Sequence, residues 1–284
     1  MDIQRIAVVG ASQVGSEIAR LAAAAGFSVQ LLGSSDSCAD KARQQIDIAL
    51  ARQVRRGTLT ERLHLDTVAR ISPARSFRDL AQAQLVIEAA TEDAIAKCEL
   101  LRQAEAATAD DAILASHSLF IPITKLAAAT RRPEQFIGMH FLSPLPLPYV
   151  VEVVRGLQTS DQTAERVCMV SRQLGNAFVS ASDAPGFIVN RLLIPLVYEA
   201  CFALQEGLGA PEDIDLGAKL GLNHPVGPLE LADALGLDVV LRTGDMLLRE
   251  LGDQKYRSPT ILRNYVAAGW LGCKSGRGFY TYPR

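Results

Sequence analysis

The residues best suited to chemistry in this sequence form a proton-transfer set. His140 lies inside the segment 138–144, Gly-Met-His-Phe-Leu-Ser-Pro, and Glu152 follows twelve residues later. A carboxylate beside an imidazole fixes its tautomer and favours its protonated form. Asn190 adds an amide further along the chain. These three side chains predict a site at which a histidine takes a proton from a bound substrate.

A glycine-containing turn near the N-terminus predicts a nucleotide-binding loop. Residues 10–15, Gly-Ala-Ser-Gln-Val-Gly, follow an apolar run and precede a helical pattern, as in a dinucleotide fingerprint. In that motif the glycines permit a tight turn and close helix–strand packing, and a helix N-terminus faces pyrophosphate. Ser12 replaces the usual middle glycine, so its hydroxyl either crowds the pyrophosphate or donates to it. The predicted cofactor contacts here are Gly10, Ser12, Gln13, Val14 and Gly15.

The second apolar run lacks the acid that usually accepts a hydrogen bond from the adenosine ribose. It is followed by Gly33-Ser34-Ser35. Loss of a charged acceptor weakens NAD binding by about 1.5–3 kcal/mol, but it also removes the repulsion of a 2′-phosphate. The two serines, with Lys41 or Arg43, are then candidates to accept NADP. The alternative is that this segment is only a turn.

The elements that position these residues change character near residue 183. Before it, short apolar runs alternate with helical patterns, which favours a mostly parallel, doubly wound sheet. The predicted strands cover 6–9, 29–32, 85–87, 112–115, 136–139, 150–154 and 177–180, and one long polar helical stretch covers 38–63. We therefore expect an α/β fold, with a Rossmann-type dinucleotide-binding domain over residues 1–182 and an all-helical domain over residues 183–284.

Composition limits the function classes. The chain has 284 residues, 49% of them hydrophobic, and a net charge of −2, which allows a large core and argues against a general nucleic-acid binder. No apolar run reaches the roughly 18 residues of a membrane span, and the first residues do not resemble a signal peptide. Five scattered cysteines indicate a reducing cytoplasm, and four widely separated histidines give no metal-binding pattern.

These motifs resemble, along nearly the whole chain, the single-function L-3-hydroxyacyl-CoA dehydrogenases, including bacterial 3-hydroxybutyryl-CoA dehydrogenases. The matching segments are 86–93, 137–144, 151–156, 185–191, 223–233, 267–272 and 274–280. The resemblance implies an oxidoreductase of fatty acid metabolism that interconverts an L-3-hydroxyacyl-CoA and a 3-oxoacyl-CoA with NAD, with NADP open because the ribose acid is missing. It also implies acyl-CoA between the domains and a homodimer formed through the helical domain.

The resemblance assigns roles to individual residues. His140 matches the base that takes the 3-hydroxyl proton as hydride leaves C3, Glu152 matches the carboxylate that orients it, and Asn190 matches the amide that holds the substrate oxygen. Ser143 stands where the family usually has asparagine. The further implied cofactor contacts are Gly33, Glu92, Lys97, Ser143 and Lys274. The candidates to meet CoA phosphates are Arg52, Arg55 and Arg56, with a solvated basic helix end as the alternative.

The largest departure from the family pattern is at Leu119, followed by Phe120. The family has a serine there that touches both cofactor and substrate hydroxyl, and a leucine cannot donate. Ser118 and His117 lie next to it, but a one-residue shift in an extended segment sends a side chain the opposite way. Ser118 and Leu119 are the predicted substrate contacts of this loop. A lost hydrogen bond to a reacting oxygen costs about 1.5–3 kcal/mol, or about 10- to 100-fold in rate.

Two alternatives to an ordinary dehydrogenase follow from these departures. The changes at Ser12, Gly33, Leu119 and Ser143 all fall on the cofactor side, whereas the proton-transfer set is complete. One alternative keeps the fold and chemistry with a different 3-hydroxy acid or a carrier-bound thioester. The other is a catalytically impaired homologue that binds acyl-CoA.

Overall fold

The computed structural model describes residues 3–142, 150–175 and 177–283. These residues form two compact units, one up to residue 183 and the other from residue 184. The first is built around a sheet and the second from helices. The predicted fold class, a doubly wound α/β domain with a helical C-terminal part, is confirmed. No helix in the described ranges is long and apolar enough to cross a membrane.

An eight-stranded sheet forms the centre of the first unit. Its strands are β1 (Arg5–Val9), β2 (Ser28–Leu32), β3 (Ile71–Ala74), β4 (Leu85–Glu88), β5 (Ile113–Ser116), β6 (Phe136–Leu142), β7 (Val150–Arg155) and β8 (Ala177–Ser182). Their order is β3-β2-β1-β4-β5-β6-β7-β8. Neighbouring strands are parallel except β6 and β7, which are antiparallel. The strand order reverses between β1 and β4, whose carboxyl ends therefore border the crevice where such sheets bind ligands.

Six helices accompany the sheet in the described part of the first unit: α1 (Gln13–Ala24), α2 (Asp36–Arg55), α3 (Glu61–Ala69), α4 (Ala94–Ala107), α5 (Ile123–Ala127) and α6 (Asp161–Gln173). The sequence predicted one helical stretch over residues 38–63, and the structure has two helices there. Gly57 takes a left-handed φ of 71° after α2. Thr60 then caps α3, because its hydroxyl accepts from the Leu63 N–H at 3.3 Å.

The strand β3 was missed by the sequence prediction. It contains Pro73, which cannot donate a ladder hydrogen bond. β3 lies at the edge of the sheet and pairs only with β2, where a proline is tolerated. The other strands were predicted because parallel strands covered on both faces appear in sequence as continuous apolar runs. In β4, for example, all four residues are buried.

The second unit consists of helices α7 (Val189–Gln205), α8 (Pro211–Gly221), α9 (Pro228–Leu235), α10 (Leu237–Leu251) and α11 (Thr260–Ala267). Two buried aspartates connect these elements. Asp215, on α8, accepts from the N–H groups of Leu229 and Glu230 at 2.8 and 2.9 Å. Asp233, on α9, accepts from the Phe279 N–H at 3.0 Å. These bonds satisfy donors at the start of α9 and hold the C-terminal segment.

Candidate active site

His140 and Glu152 face each other across the antiparallel strands β6 and β7. The register pairs the two residues directly. The imidazole Nδ1 lies 2.7 Å from the carboxylate Oε2, and the residues are 6% and 0% exposed. Because two paired strands fix both backbones, the pairing of the imidazole with the carboxylate does not depend on a loop. A carboxylate at Nδ1 makes Nε2 the nitrogen suited to exchange a proton.

A buried ion pair supports the chain next to this histidine. Lys97, on α4, is fully buried, and its ammonium donates to the carboxylate of Glu88 at the end of β4. It also donates to the Ser116 hydroxyl and the His117 carbonyl, each at 3.2 Å. Removing one partner of such a pair costs about 3–5 kcal/mol. Lys97 therefore holds the ends of β4 and β5 together, and its predicted contact with a cofactor stays a prediction.

The loop after β5 is held by Glu92. Its carboxylate accepts from the Ser118 hydroxyl and from the Leu119 N–H, both at 3.0 Å. Ser118 is 1% exposed, and its oxygen also accepts from the Ile121 N–H at 3.1 Å. The Ser118 hydroxyl therefore stabilises the loop through Glu92 and Ile121. It does not replace the hydroxyl donor that is missing at Leu119. The predicted contacts of Glu92, Ser118 and Leu119 with cofactor or substrate stay predictions.

The phosphate loop has the tight geometry of a dinucleotide fingerprint. Gly10 has a φ of 118°, and a Cβ there would lie 2.6 Å from the Ala90 Cα. A Cβ on Gly15 would lie 1.9 Å from the carbonyl oxygen of Gly10. Gln13 and Val14 open α1, where the first N–H groups of a helix have no partner within the helix.

Ser12 fits this loop without backbone strain. Its φ is −70°, which any residue adopts. Its hydroxyl accepts from the Gly15 N–H at 3.3 Å and donates to the Ala89 carbonyl at 3.2 Å. The side chain thus caps the N-terminus of α1, and its hydroxyl is engaged within the protein. This geometry supports neither of the two expected roles of the hydroxyl, which were to crowd the pyrophosphate or to donate to it.

The end of β2 has no room for an acidic side chain. A Cβ on Gly33 would lie 2.9 Å from the Ala39 nitrogen and from the Cys38 Cβ, in the first turns of α2. The hydroxyls of Ser34 and Ser35 donate to the Cys38 sulfur at 3.5 and 3.2 Å. These two hydrogen bonds lower the pKa of the Cys38 thiol. The missing acid is therefore accompanied by close packing of α2 against the strand end.

Of the two basic residues suggested for a 2′-phosphate, Arg43 is engaged elsewhere. Its guanidinium donates to the carbonyl oxygens of Ile71 at 2.9 Å and Val68 at 3.3 Å. It therefore ties α2 to the start of β3. Lys41 is exposed on α2 and remains a candidate to bind a 2′-phosphate.

The remaining predicted residues lie in the second unit, at the end of α2 or outside the described residues. In the second unit, the Nδ2 of Asn190 is buried and has no hydrogen-bond partner among the described residues. Lys274 forms an ion pair with Asp238 at 2.5 Å. Arg52, Arg55 and Arg56 are exposed at the end of α2. Ser143 lies outside the described residues.

Sequence reasoning assigned no role to two residues that the structure brings to this site. Glu88 accepts from Lys97, and its position at the end of the apolar run 85–87 was a usable signal, because a charge closing a buried strand needs a partner. His117 lies with its ring stacked on that of His140, the centroids 5.3 Å apart. No motif or spacing predicts that stack. Within the described residues, no group of three or more potential ligands could hold a metal ion.

Comparison with known proteins gives matches along the whole chain. Two family models match, "3-hydroxyacyl-CoA dehydrogenase, NAD binding domain" over residues 5–184 and "3-hydroxyacyl-CoA dehydrogenase, C-terminal domain" over residues 186–282. The probable 3-hydroxybutyryl-CoA dehydrogenase of Bacillus subtilis is 44% identical over 99% of this chain and 98% of its own length. The 3-hydroxybutyryl-CoA dehydrogenase of Bradyrhizobium diazoefficiens is 45% identical over 99% of this chain and 96% of its own.

A solved structure shows the same architecture. The crystal structure of (S)-3-hydroxybutyryl-CoA dehydrogenase from Ralstonia eutropha superposes with a TM-score of 0.93 at 43% identity, covering 100% of both chains.

Proposed function

The chain belongs to the 3-hydroxyacyl-CoA dehydrogenase family, and we propose that it interconverts L-3-hydroxybutyryl-CoA and 3-oxobutyryl-CoA with NAD. The 3-hydroxyacyl-CoA class and the cofactor follow from the family. The four-carbon acyl group is supported by the names of the similar bacterial enzymes. The single observation that carries the chemistry is the His140–Glu152 pair, fixed by the register of the antiparallel strands β6 and β7.

In the oxidative direction His140 accepts the proton of the 3-hydroxyl group through Nε2, and NAD supplies the hydride acceptor. Glu152 holds Nδ1 and stabilises the imidazolium that forms. Burial of both groups strengthens this attraction, because water does not screen it. In the reductive direction the same nitrogen returns the proton to the carbonyl oxygen of the substrate.

Asn190 is proposed to hold the reacting oxygen. An amide buried without a partner costs roughly 1–3 kcal/mol, so such a group is retained where a ligand satisfies it. Its Nδ2 donor suits an oxygen that gains negative charge during hydride transfer. This supports an active enzyme over the impaired homologue, because the proton-transfer pair and the oxygen-holding amide are both preserved.

The nucleotide half of the cofactor is proposed to lie against the loop from Gly10 to Gly15. The tight turn and the N-terminus of α1 suit pyrophosphate, and the engaged hydroxyl of Ser12 is compatible with it. At the adenosine end the absence of an acid at Gly33 supports weaker NAD binding than in a relative that has one. It also supports tolerance of NADP, with Lys41 as the candidate to meet a 2′-phosphate.

Arg52 and Arg56 are proposed to meet the phosphates of CoA from the end of α2. Both are exposed and can form charge-assisted hydrogen bonds with phosphate oxygens. Replacing both by alanine should raise the KM for the acyl-CoA and weaken its dependence on salt, with little change in kcat. An unchanged KM would mean that this basic helix end is only solvated.

A homodimer formed through the helical unit and a cytoplasmic location complete the proposal. The N-terminal half of α7 exposes Leu192, 70% accessible, and the adjoining Ile188 is 40% accessible. Large exposed apolar side chains on one helix are typical of an interface. Sedimentation of the parent and of Leu192→Glu tests this, and a parent that sediments as a monomer would contradict it. Five cysteines without a framework spacing support a reducing compartment.

The deciding experiment is an assay of the purified protein with 3-oxobutyryl-CoA and either NADH or NADPH. The reverse reaction is tested with 3-hydroxybutyryl-CoA, a longer 3-hydroxyacyl-CoA and free 3-hydroxybutyrate. We expect turnover of the CoA thioesters with NADH. Faster turnover of the free acid would contradict CoA recognition. Tight acyl-CoA binding with no turnover would instead identify an impaired homologue.

A further inference from the structure

A second histidine contacts the base on a face that Glu152 does not occupy. His117 lies directly after β5, and its ring stacks on that of His140 with the centroids 5.3 Å apart and the planes 19° from parallel. Its Nδ1 also accepts from the N–H of Phe141 at 3.2 Å. One side chain therefore contacts both the ring of His140 and the backbone that follows it.

The position of His117 is itself fixed by strand ends and a buried charge. Its N–H donates to the Glu88 carbonyl at 2.7 Å. Its carbonyl accepts from the buried ammonium of Lys97 at 3.2 Å. The backbone of His117 is thus held from β4 and α4, while its ring reaches β6. A ring whose backbone is fixed in this way gives rigid support to the side chain that packs on it, which here is His140.

The electrostatic surroundings keep His117 neutral. Burial of the ring, followed by repulsion from His140 and from Lys97, lowers the pKa of His117 to about 3. Because Nδ1 accepts a hydrogen bond, the neutral ring carries its proton on Nε2. A neutral ring can lie beside His140 when that residue takes up a proton, whereas a second cation at this distance would oppose the step.

We propose that His117 is a positioning residue, whose ring face fixes the orientation of His140 toward the substrate while Glu152 fixes its tautomer. The proposal rests on the proposed function, in which His140 is the base. It also gives a physical role to a residue to which the sequence assigned none. The imidazole is then constrained at one edge by the hydrogen bond with Glu152 and on one face by the stacked ring of His117.

The test separates the ring of His117 from its hydrogen-bond acceptor. His117→Asn keeps an acceptor near the position of Nδ1 and removes the ring, whereas His117→Phe keeps a ring and removes the acceptor. We expect the asparagine variant to lose about tenfold in kcat with an unchanged KM for the acyl-CoA. Its solvent deuterium isotope effect on kcat should rise, because a misplaced base slows proton transfer. The phenylalanine variant should retain more of the parent's kcat than the asparagine variant.

A His140→Ala variant, measured in the same assays, separates a failure of the inference about His117 from a failure of the proposed function. If His140→Ala abolishes turnover and His117→Asn matches the parent in kcat and isotope effect, only the inference about His117 is wrong. If the phenylalanine variant is the slower of the two, the acceptor and not the ring is what matters, and the inference is again overturned. If His140→Ala keeps the parent's activity, the proposed function itself fails.

Discussion

The predicted proton-transfer side and the predicted cofactor side of the first unit are built differently. His140 and Glu152 lie on two hydrogen-bonded interior strands, where register alone places one opposite the other. Ser12, Gly33 and Leu119 lie where strands end and turns begin. The three positions of the second set depart from the family pattern, whereas His140 and Glu152 match it.

This difference shows where substitutions can accumulate in such a fold. A change in a central strand disturbs pairing on both sides and a buried core, so few replacements are tolerated there. A change in a strand-end loop alters mainly the contacts that the loop itself makes. Two of the altered loop positions here make local contacts of their own, since Ser12 caps α1 and α2 packs on Gly33.

The largest effect is expected from removing the proposed base. His140→Ala should lower kcat by about 10²- to 10⁴-fold, the usual contribution of a positioned general base. The affinity for NADH, measured by fluorescence titration, should stay close to that of the parent, because the cofactor side is built separately. A large loss of NADH affinity would show that the two sides are one structure.

The second prediction concerns stability and pH at His117. Its pKa is about 3 in the folded protein against 6.5 for the free side chain. The unfolded chain therefore takes up the proton first as pH falls, so the stabilisation is present above pH 6.5 and is lost toward pH 3. Urea unfolding should show that the free energy of unfolding falls between pH 6.5 and 5 by about 1.5 kcal/mol more in the parent than in His117→Asn. Equal losses would mean that His117 titrates normally.

A smaller effect is expected from restoring the missing donor on the cofactor side. Leu119→Ser should raise kcat/KM by up to about tenfold if its hydroxyl reaches the reacting oxygen. Leu119→Ala is the matched control, because it removes the same bulk without adding a donor. A rise in the serine variant alone identifies the hydroxyl as the cause. A tenfold fall in both variants would show that the apolar side chain has its own function.

The smallest effect is expected at Ser12. Replacement by glycine should change the Kd for NADH by less than about threefold, because the serine caps α1 without backbone strain and a glycine costs a helix start only a few tenths of a kcal/mol. Ser12→Ala should lower the free energy of unfolding by about 1 kcal/mol through loss of the cap. Tenfold tighter binding in the glycine variant would instead show that the serine crowds the pyrophosphate.

How far the sequence predicts this molecule depends on how local each feature is. The buried strands and the helical second unit follow from hydrophobic patterns, and the break after α2 had usable signals in Gly57 and Thr60. The edge strand β3 had no such signal. Its Pro73 is acceptable only in an edge strand, and which strand lies at the edge is defined by the order of the whole sheet. The stack of His117 on His140 depends on how two strand ends approach each other, and no spacing in the sequence contains that information.

The packing at Gly33 also limits how tighter NAD binding could be engineered. Because α2 lies against the end of β2, an aspartate placed at position 33 alone would collide with the backbone nitrogen of Ala39. Introducing a ribose acid therefore needs two changes together, one at the strand end and one that moves the start of the helix. A single substitution at Gly33 is not expected to introduce a working ribose acid.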